Sequence, residues 1–246
     1  MINILRSEWT KIRSVRSTVW TLTVTAVLML VFSVLISASA KSMADGPIPG
    51  DQAIALSLTG TMLASLSMAT LGVLVISSEY RTGGIRTSLM AVPKRMSLLT
   101  GKIVAFVAVS LVVCAVAAAG AIGVGVAISQ PPSIEIGEVV RSSLGSGLYL
   151  TACGLFGLGL GTLIRHTPGA VVSAIALILV LPTMANQLPG GWGRTVAEYF
   201  TTNAGSLVVS GQSNDSLGPW SGFAVYLAWV TVAVISGAVL MRRRDA

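Results

Sequence analysis

Six stretches of the chain carry no charged side chain: residues 18–39, 54–77, 103–129, 144–164, 169–185 and 220–241. They are 22, 24, 27, 21, 17 and 22 residues long. About 20 apolar residues in a helix cross the roughly 30 Å hydrocarbon core of a bilayer, so five stretches span comfortably. The fifth is short and contains Pro182. It spans only where the bilayer adapts or its outer end is helped by other protein. The pattern predicts an all-α integral membrane protein with six transmembrane helices in a single domain, residues 1–246.

The polar segments between these stretches have patterns of their own. At the start, Ile2, Leu5, Trp9 and Ile12 recur at helical spacing, while Arg6, Glu8, Lys11 and Arg13 fill the rest of the wheel. A basic amphipathic helix with an indole suits the headgroup boundary, so residues 1–17 are expected to lie flat before the chain turns inward near Arg16. Between stretches two and three, Gly83 and Gly84 break the incoming helix and Pro93 bounds the next segment. Ile85, Leu89 and Val92 follow i, i+4, i+7 and predict the apolar face of a short helix, with Arg86 off that face. A plain tether needs only a few residues, yet this connection, 78–102, has 25. It reads as a docking element. Residues 186–219 hold Pro189-Gly190-Gly191, then Val196, Tyr199 and Phe200 at helical spacing, then Leu207-Val208-Val209 between Gly205 and Gly211. Non-helical backbone at membrane depth has to be covered by protein, so a hairpin here is expected to pack on span five or on a partner chain.

Composition agrees with the membrane reading. Hydrophobic residues make up 53% of the chain and charged ones 10%, against about a quarter charged in a soluble domain. The charges also set an orientation. Of 16 basic residues, 13 fall on the side of the N-terminus and only Lys41, Arg141 and Arg194 on the other, while the acidic residues divide three to six. Basic residues stay cytoplasmic, so both termini are expected inside. The net charge of +7 then reflects topology and anionic lipid rather than nucleic acid, which is not an expected partner. The first stretch ends Ala38-Ser39-Ala40, like a signal-peptidase site. It is longer than the roughly 7–15 residues of a signal core and is expected to be retained.

Several classes of chemistry are disfavoured. Proton- and sodium-driven transporters place ionisable groups within their spans, and these stretches hold none. His166, the single histidine, falls in a short loop beside Arg165 and reads as an interfacial residue tolerated at a span end. Gly101-Lys102 is followed by Ile103 and lacks the upstream glycine of a phosphate loop. Gly145-Ser146-Gly147 has no histidine in any stretch to serve as a base. Cys114 and Cys153 lie in apolar runs as small hydrophobes, and no cluster has metal-ligand spacing. Gly120, Gly123 and Gly125, and the set that includes Gly157 and Gly161, read as small faces for close helix packing. No catalytic, cofactor or metal residue is expected, so the energy for any work has to come from another polypeptide.

The run Glu79-Tyr80-Arg81-x-Gly83-x-Ile85-Arg86, followed by Leu89, Pro93, Arg95 and Gly101-Lys102, resembles the cytoplasmic loop of type-2 ABC-transporter permeases. Ser7-Glu8-Trp9-Thr10-Lys11-x-Arg13-x-x-Arg16-Ser17-Thr18 is similar to the elbow of actinobacterial members. The resemblance extends over essentially the whole chain. It implies a bacterial cytoplasmic-membrane protein that works with a second permease, identical or homologous, and two copies of a separate ATPase subunit that binds ATP and Mg. It also implies an interfacial elbow carrying Leu5, Trp9, Lys11, Ile12, Arg13 and Arg16, and a coupling helix in the loop from Glu79 to Arg95. An external re-entrant hairpin between spans five and six completes the pattern. Gly84 departs from it, since the family usually has Thr there, and Thr82 or Gly83 would have to start the helix instead.

The expected function is therefore the membrane subunit of an ATP-driven exporter. One alternative is a sensor or accessory protein that binds a cytoplasmic partner through residues 78–102 without moving a solute. Another is the substrate-binding membrane component of a vitamin importer, which would lack the elbow and the loop pattern. Charge-free spans suit a hydrophobic or amphipathic cargo such as a drug, a peptide or a lipid. With 6% aromatic residues, few stacking platforms are present for sugar chains.

Overall fold

In hydrocarbon every backbone N–H and C=O has to be satisfied within the protein, which drives apolar stretches into helices. The computed structural model describes residues 16–44, 46–81 and 95–243, and among these there are helices and no strands. Helix α1 runs Arg16–Met43, α2 Gly50–Ser57, α3 Thr61–Arg81, α4 Arg95–Ser129 and α5 Ile136–Ile164. Helix α6 (Thr167–Ile175) passes through a π-helical turn, Ala176–Val180, into α7 (Leu181–Ala185). Three short helices follow, α8 (Gly190–Glu198), α9 (Thr201–Gly205) and α10 (Leu207–Ser210), and then α11 (Pro219–Arg243). Six of the resulting segments are long and apolar enough to cross a membrane, and each contains one of the six charge-free stretches. They are α1, α2–α3, α4, α5, α6–α7 and α11, spans one to six. Arg16, Arg81, Arg95 and Arg165 mark one end of the bundle, here the near end, and Lys41, Asp51, Glu138 and Arg141 the far end.

Span four, α5, is the centre. Of its spanning window 78% is buried, against 17% for span one. Its glycines explain this. A Cβ on Gly157 would collide with the Ala69 carbonyl of α3, and one on Gly72 would collide with that of Gly154. On the opposite side a Cβ at Gly159 would come within 2.8 Å of the Ala233 backbone in α11. Glycine lets both neighbours approach α5 at backbone distance, where close packing replaces the missing hydrophobic drive. The Gly157 and Gly161 pair thus serves packing, as its spacing predicts.

Span one shows the inverse of a soluble helix. Its buried positions are Thr18, Thr25, Met29, Ser33 and Ser37, while Val19, Trp20, Val24, Val27, Val31 and Leu35 are exposed. The small hydroxyls make the contacts. Thr25 donates to Ser67 Oγ over 2.8 Å, and Ser33 donates to the Ala121 carbonyl over 2.6 Å. At the far end Lys41 donates to the Ile128 carbonyl over 2.7 Å and to Gln130 Oε1 over 3.0 Å. Its charge sits at the C-terminus of α4, where the helix dipole favours a cation.

Several boundaries differ from the charge pattern. Span two is broken at residues 58–60, where Gly60 brings the turn against α1; a Cβ there would stand 3.0 Å from the Phe32 Cβ. Span four extends beyond its charge-free stretch to include Glu138 and Arg141, which pair over 3.4 Å on successive turns. Span three extends to include Lys102, whose surface is only 4% exposed. Helix α8 stops at Glu198, so Tyr199 and Phe200 leave it instead of continuing one apolar face.

A cavity at the far end, walled by span five and the segment after it

Pro182 organises this region. The Leu181 N–H bonds the Ala176 carbonyl, five residues back. In that register the Leu177 carbonyl faces Pro182, which has no N–H to give. The orphaned acceptor is satisfied from outside the helix: Thr201 donates to the Leu177 carbonyl over 2.7 Å. Thr202 donates to the Ile178 carbonyl over 2.8 Å. The Asn203 side-chain amide reaches the carbonyls of Pro182 (3.3 Å) and Ala197 (2.9 Å) and Oδ1 of Asn186 (3.1 Å). Three consecutive residues therefore clasp the segment after span five onto the proline break. This is help at its far end for a stretch of only 17 residues.

The same segment packs into the bundle. Gly145 of α5 lies so close to the Val208 carbonyl that a Cβ would collide with it, and a Cβ on Gly222 of α11 would reach the Ala204 carbonyl at 2.5 Å. Thr201, Ala204 and Val208 are buried. The segment turns at Gly211, whose φ of +66° is one that favours glycine. Its N–H closes on the Leu207 carbonyl over 2.8 Å. The Arg141 guanidinium occupies the space where a Cβ would be and donates to the Ser210 carbonyl at 3.4 Å.

Between α2–α3, α5, the π turn and α9–α10 lies a cavity of about 750 Å³. That is within the range of small-molecule sites, about 300–1,000 Å³. Ile54, Leu58, Met62, Ile178, Leu179 and Val209 give it apolar walls. Its charged lining, among the described residues, is Asp51 and Glu138, with no basic side chain. Tyr149 also lines the cavity; it packs on Tyr226 at 5.9 Å between ring centroids, and Tyr226 donates to Cys153 Sγ over 3.2 Å. Cys153 is thus more than a small hydrophobe.

The residues singled out from the sequence lie at the other end. Glu79 and Arg81 close α3, Arg95 opens α4 and Arg16 opens α1. Both arms of the connection therefore leave and return at the near end. Gly83, Ile85, Arg86, Leu89 and Pro93, and the elbow positions Leu5, Trp9, Lys11, Ile12 and Arg13, lie outside the described residues. His166 proves to be the N-cap of α6, its Nδ1 accepting the Gly169 N–H over 3.3 Å. The sequence reading missed the cavity. Its only signal was the pairing of Pro182 with Thr201-Thr202-Asn203, hydroxyls and an amide suited to the carbonyls a proline frees.

A family model described as an ABC-2 family transporter protein matches residues 4–186. The chain belongs to the ABC-2 transporter family. Among curated proteins none matches it. Family membership makes this ABC-2 protein a transporter permease, a membrane component that is not itself the catalyst, with multiple passes through the cell membrane. Such permeases generally work with an ABC ATPase and often with a second permease. The matched region ends at Asn186, the first residue after span five, so α8–α10 and span six of this ABC-2 permease lie beyond it.

Proposed function

We propose that this permease is the transmembrane subunit of an ATP-driven exporter, and that the far-end cavity is the outer part of its path. The observation that carries this is the clasp: the cavity wall made by α9 is hydrogen-bonded to the carbonyls of span five. A displacement of span five therefore carries the wall with it and changes the cavity's shape. The near end is then cytoplasmic, with both termini inside, as the division of 13 basic residues against three supports. Residues 186–219 form an external re-entrant hairpin, 1–17 an elbow on the inner surface, and 78–102 the contact with the ATPase. ATP and Mg belong to that subunit, present in two copies, and a second permease closes the open side of the path.

In everted vesicles containing the permease and its ATPase, a fluorescent amphiphile should accumulate on adding ATP. Accumulation should persist when a protonophore collapses the proton gradient at constant ATP. Accumulation that follows the proton gradient instead of ATP overturns the proposal. Retention of the ATPase with no movement of any solute points to the sensor reading.

A further inference from the structure

The cavity's hydroxyl groups look at first like a surface for any hydrogen-bonding ligand. Six of those protons are already committed. Thr59, Ser65, Thr183, Thr202, Ser206 and Ser210 each donate to a backbone carbonyl, over 2.6 to 3.3 Å. A hydroxyl has one proton and two lone pairs, so each of these offers the cavity acceptor capacity only. The Asn203 NH₂ is likewise spent on three acceptors, which leaves its oxygen. Asp51 and Glu138 add carboxylate acceptors. Against this, Gln52 and Gln212 present amides with both donors and acceptors, the Ser142 and Tyr149 hydroxyls also line the cavity and can donate, and the buried Thr61 hydroxyl makes no hydrogen bond. Arg141 offsets part of the Glu138 charge through its 3.4 Å pair but does not itself line the cavity. Asp51 is exposed and has no ion-pair partner within 4.0 Å among the described residues.

From this excess of acceptors we infer that the cavity takes a cationic amphiphile, a protonated amine carried on an apolar body. The ammonium brings three donors and a positive charge to a lining whose charged groups, among the described residues, are both carboxylates, and the apolar body fits against Leu58, Met62, Leu179 and Val209. An anionic ligand would find no donor of opposite charge among the lining residues. This deepens the exporter reading and rests on it for the cavity's place on the path.

The test uses the full chain in phosphatidylcholine nanodiscs, with empty nanodiscs as reference, and three probes of one fluorophore: dansylcadaverine, its N-acetyl derivative and dansyl-aminocaproate. The ammonium probe should bind about tenfold more tightly than the acetylated one, the scale of one hydrogen bond to a charged group, and the carboxylate probe should not bind. Asp51→Asn should remove that preference, while Asp215→Asn, outside the cavity, should leave it. Ser206 is exposed, so Ser206→Trp fills the cavity without disturbing the core, and it should abolish binding of both remaining probes. Equal binding of the ammonium and acetylated probes, or an unchanged preference in Asp51→Asn, overturns the inference. So does binding that survives Ser206→Trp. Selective ammonium binding without ATP-driven movement in everted vesicles would sustain this inference and remove the exporter reading.

Discussion

Thr202 donates its hydroxyl proton to the Ile178 carbonyl over 2.8 Å, across 24 positions of sequence. Neither residue would be singled out alone. The bond exists because a proline four residues beyond Ile178 interrupts the helix and the next segment brings hydroxyls to the interruption. It makes span five and the segment that follows one mechanical unit, and the cavity opens against that unit.

Replacing both threonines with valine keeps their shape and removes the donors. Two carbonyls then lose side-chain partners in an apolar setting, at a cost of about 0.6–1 kcal/mol each. Thr201→Val with Thr202→Val should lower the thermal unfolding midpoint in detergent by a few degrees. It should also let a thiol reagent reach Val208→Cys, which is buried in the native protein. An unchanged midpoint together with a protected Val208→Cys would show that the clasp holds nothing in place.

The glycine contacts of span four make a second, graded prediction. At Gly157 a methyl group collides with the Ala69 carbonyl, and a backbone cannot yield as a flexible side chain can. Gly157→Ala should cost about 1–3 kcal/mol, the usual range for overpacking, read as reduced yield of folded protein and a lower midpoint. At Gly123 a Cβ meets nothing within 4 Å. Gly123→Ala should be neutral or slightly stabilising, since alanine is the better helix former. The opposite ranking would mean that α3 and α5 do not meet at this face.

What the sequence could and could not foretell divides along physical lines. The spans were legible because membrane thickness demands long apolar stretches, and each of the six is recovered as a helical span. The break at residues 58–60 was not, because it depends on Gly60 meeting Phe32 in another helix. The central place of span four was half-legible. Its 21 charge-free residues resemble the other stretches in length, and only the density of glycines set it apart. Spans three and four also run past their charge-free limits: Glu138 and Arg141 sit in the first turns of α5, where a charge can find partners or water, and Lys102 lies buried two turns inside α4. The cavity was invisible because its walls come from four separated segments. No periodicity in any one of them records the others.

Orientation is tested by labelling. Cysteines placed at Ser42 and Ser213, on the far side, should react with an impermeant thiol reagent added to intact cells. A cysteine at Ser97 should react only after the membrane is opened. Labelling of position 97 from outside would invert the bundle, place the cavity on the cytoplasmic side and undo the export reading.

The near end carries the last prediction. Arg81 ends span two and Arg95 opens span three at the end of the bundle opposite the cavity. In the proposed coupling, a partner that drives the permease from that side pushes through the connection between them. A flexible tether would absorb the displacement, so the contact has to be rigid, with an apolar anchor and polar groups that fix its angle. In the proposed coupling, Ile85 and Leu89 would supply the anchor by their spacing. Glu79, Arg81 and Arg86 would supply charge-assisted hydrogen bonds, which are stronger than neutral ones. Truncating a buried interfacial anchor commonly costs about 2 kcal/mol or more, and a rim charge close to nothing. Ile85→Ala with Leu89→Ala should therefore leave the permease inserted and folded, loosen its hold on the ATPase and abolish ATP-driven movement of the probe. Glu79→Ala should keep the complex together but weaken the stimulation of ATP hydrolysis by cargo. Lys94→Ala, facing lipid headgroups in this reading, should change little. Affinity for the ATPase and transport are measured on the same preparations, with the native unfolding midpoint as the check on folding. If the double variant binds the ATPase and transports as the native protein does, the drive enters elsewhere along the near end.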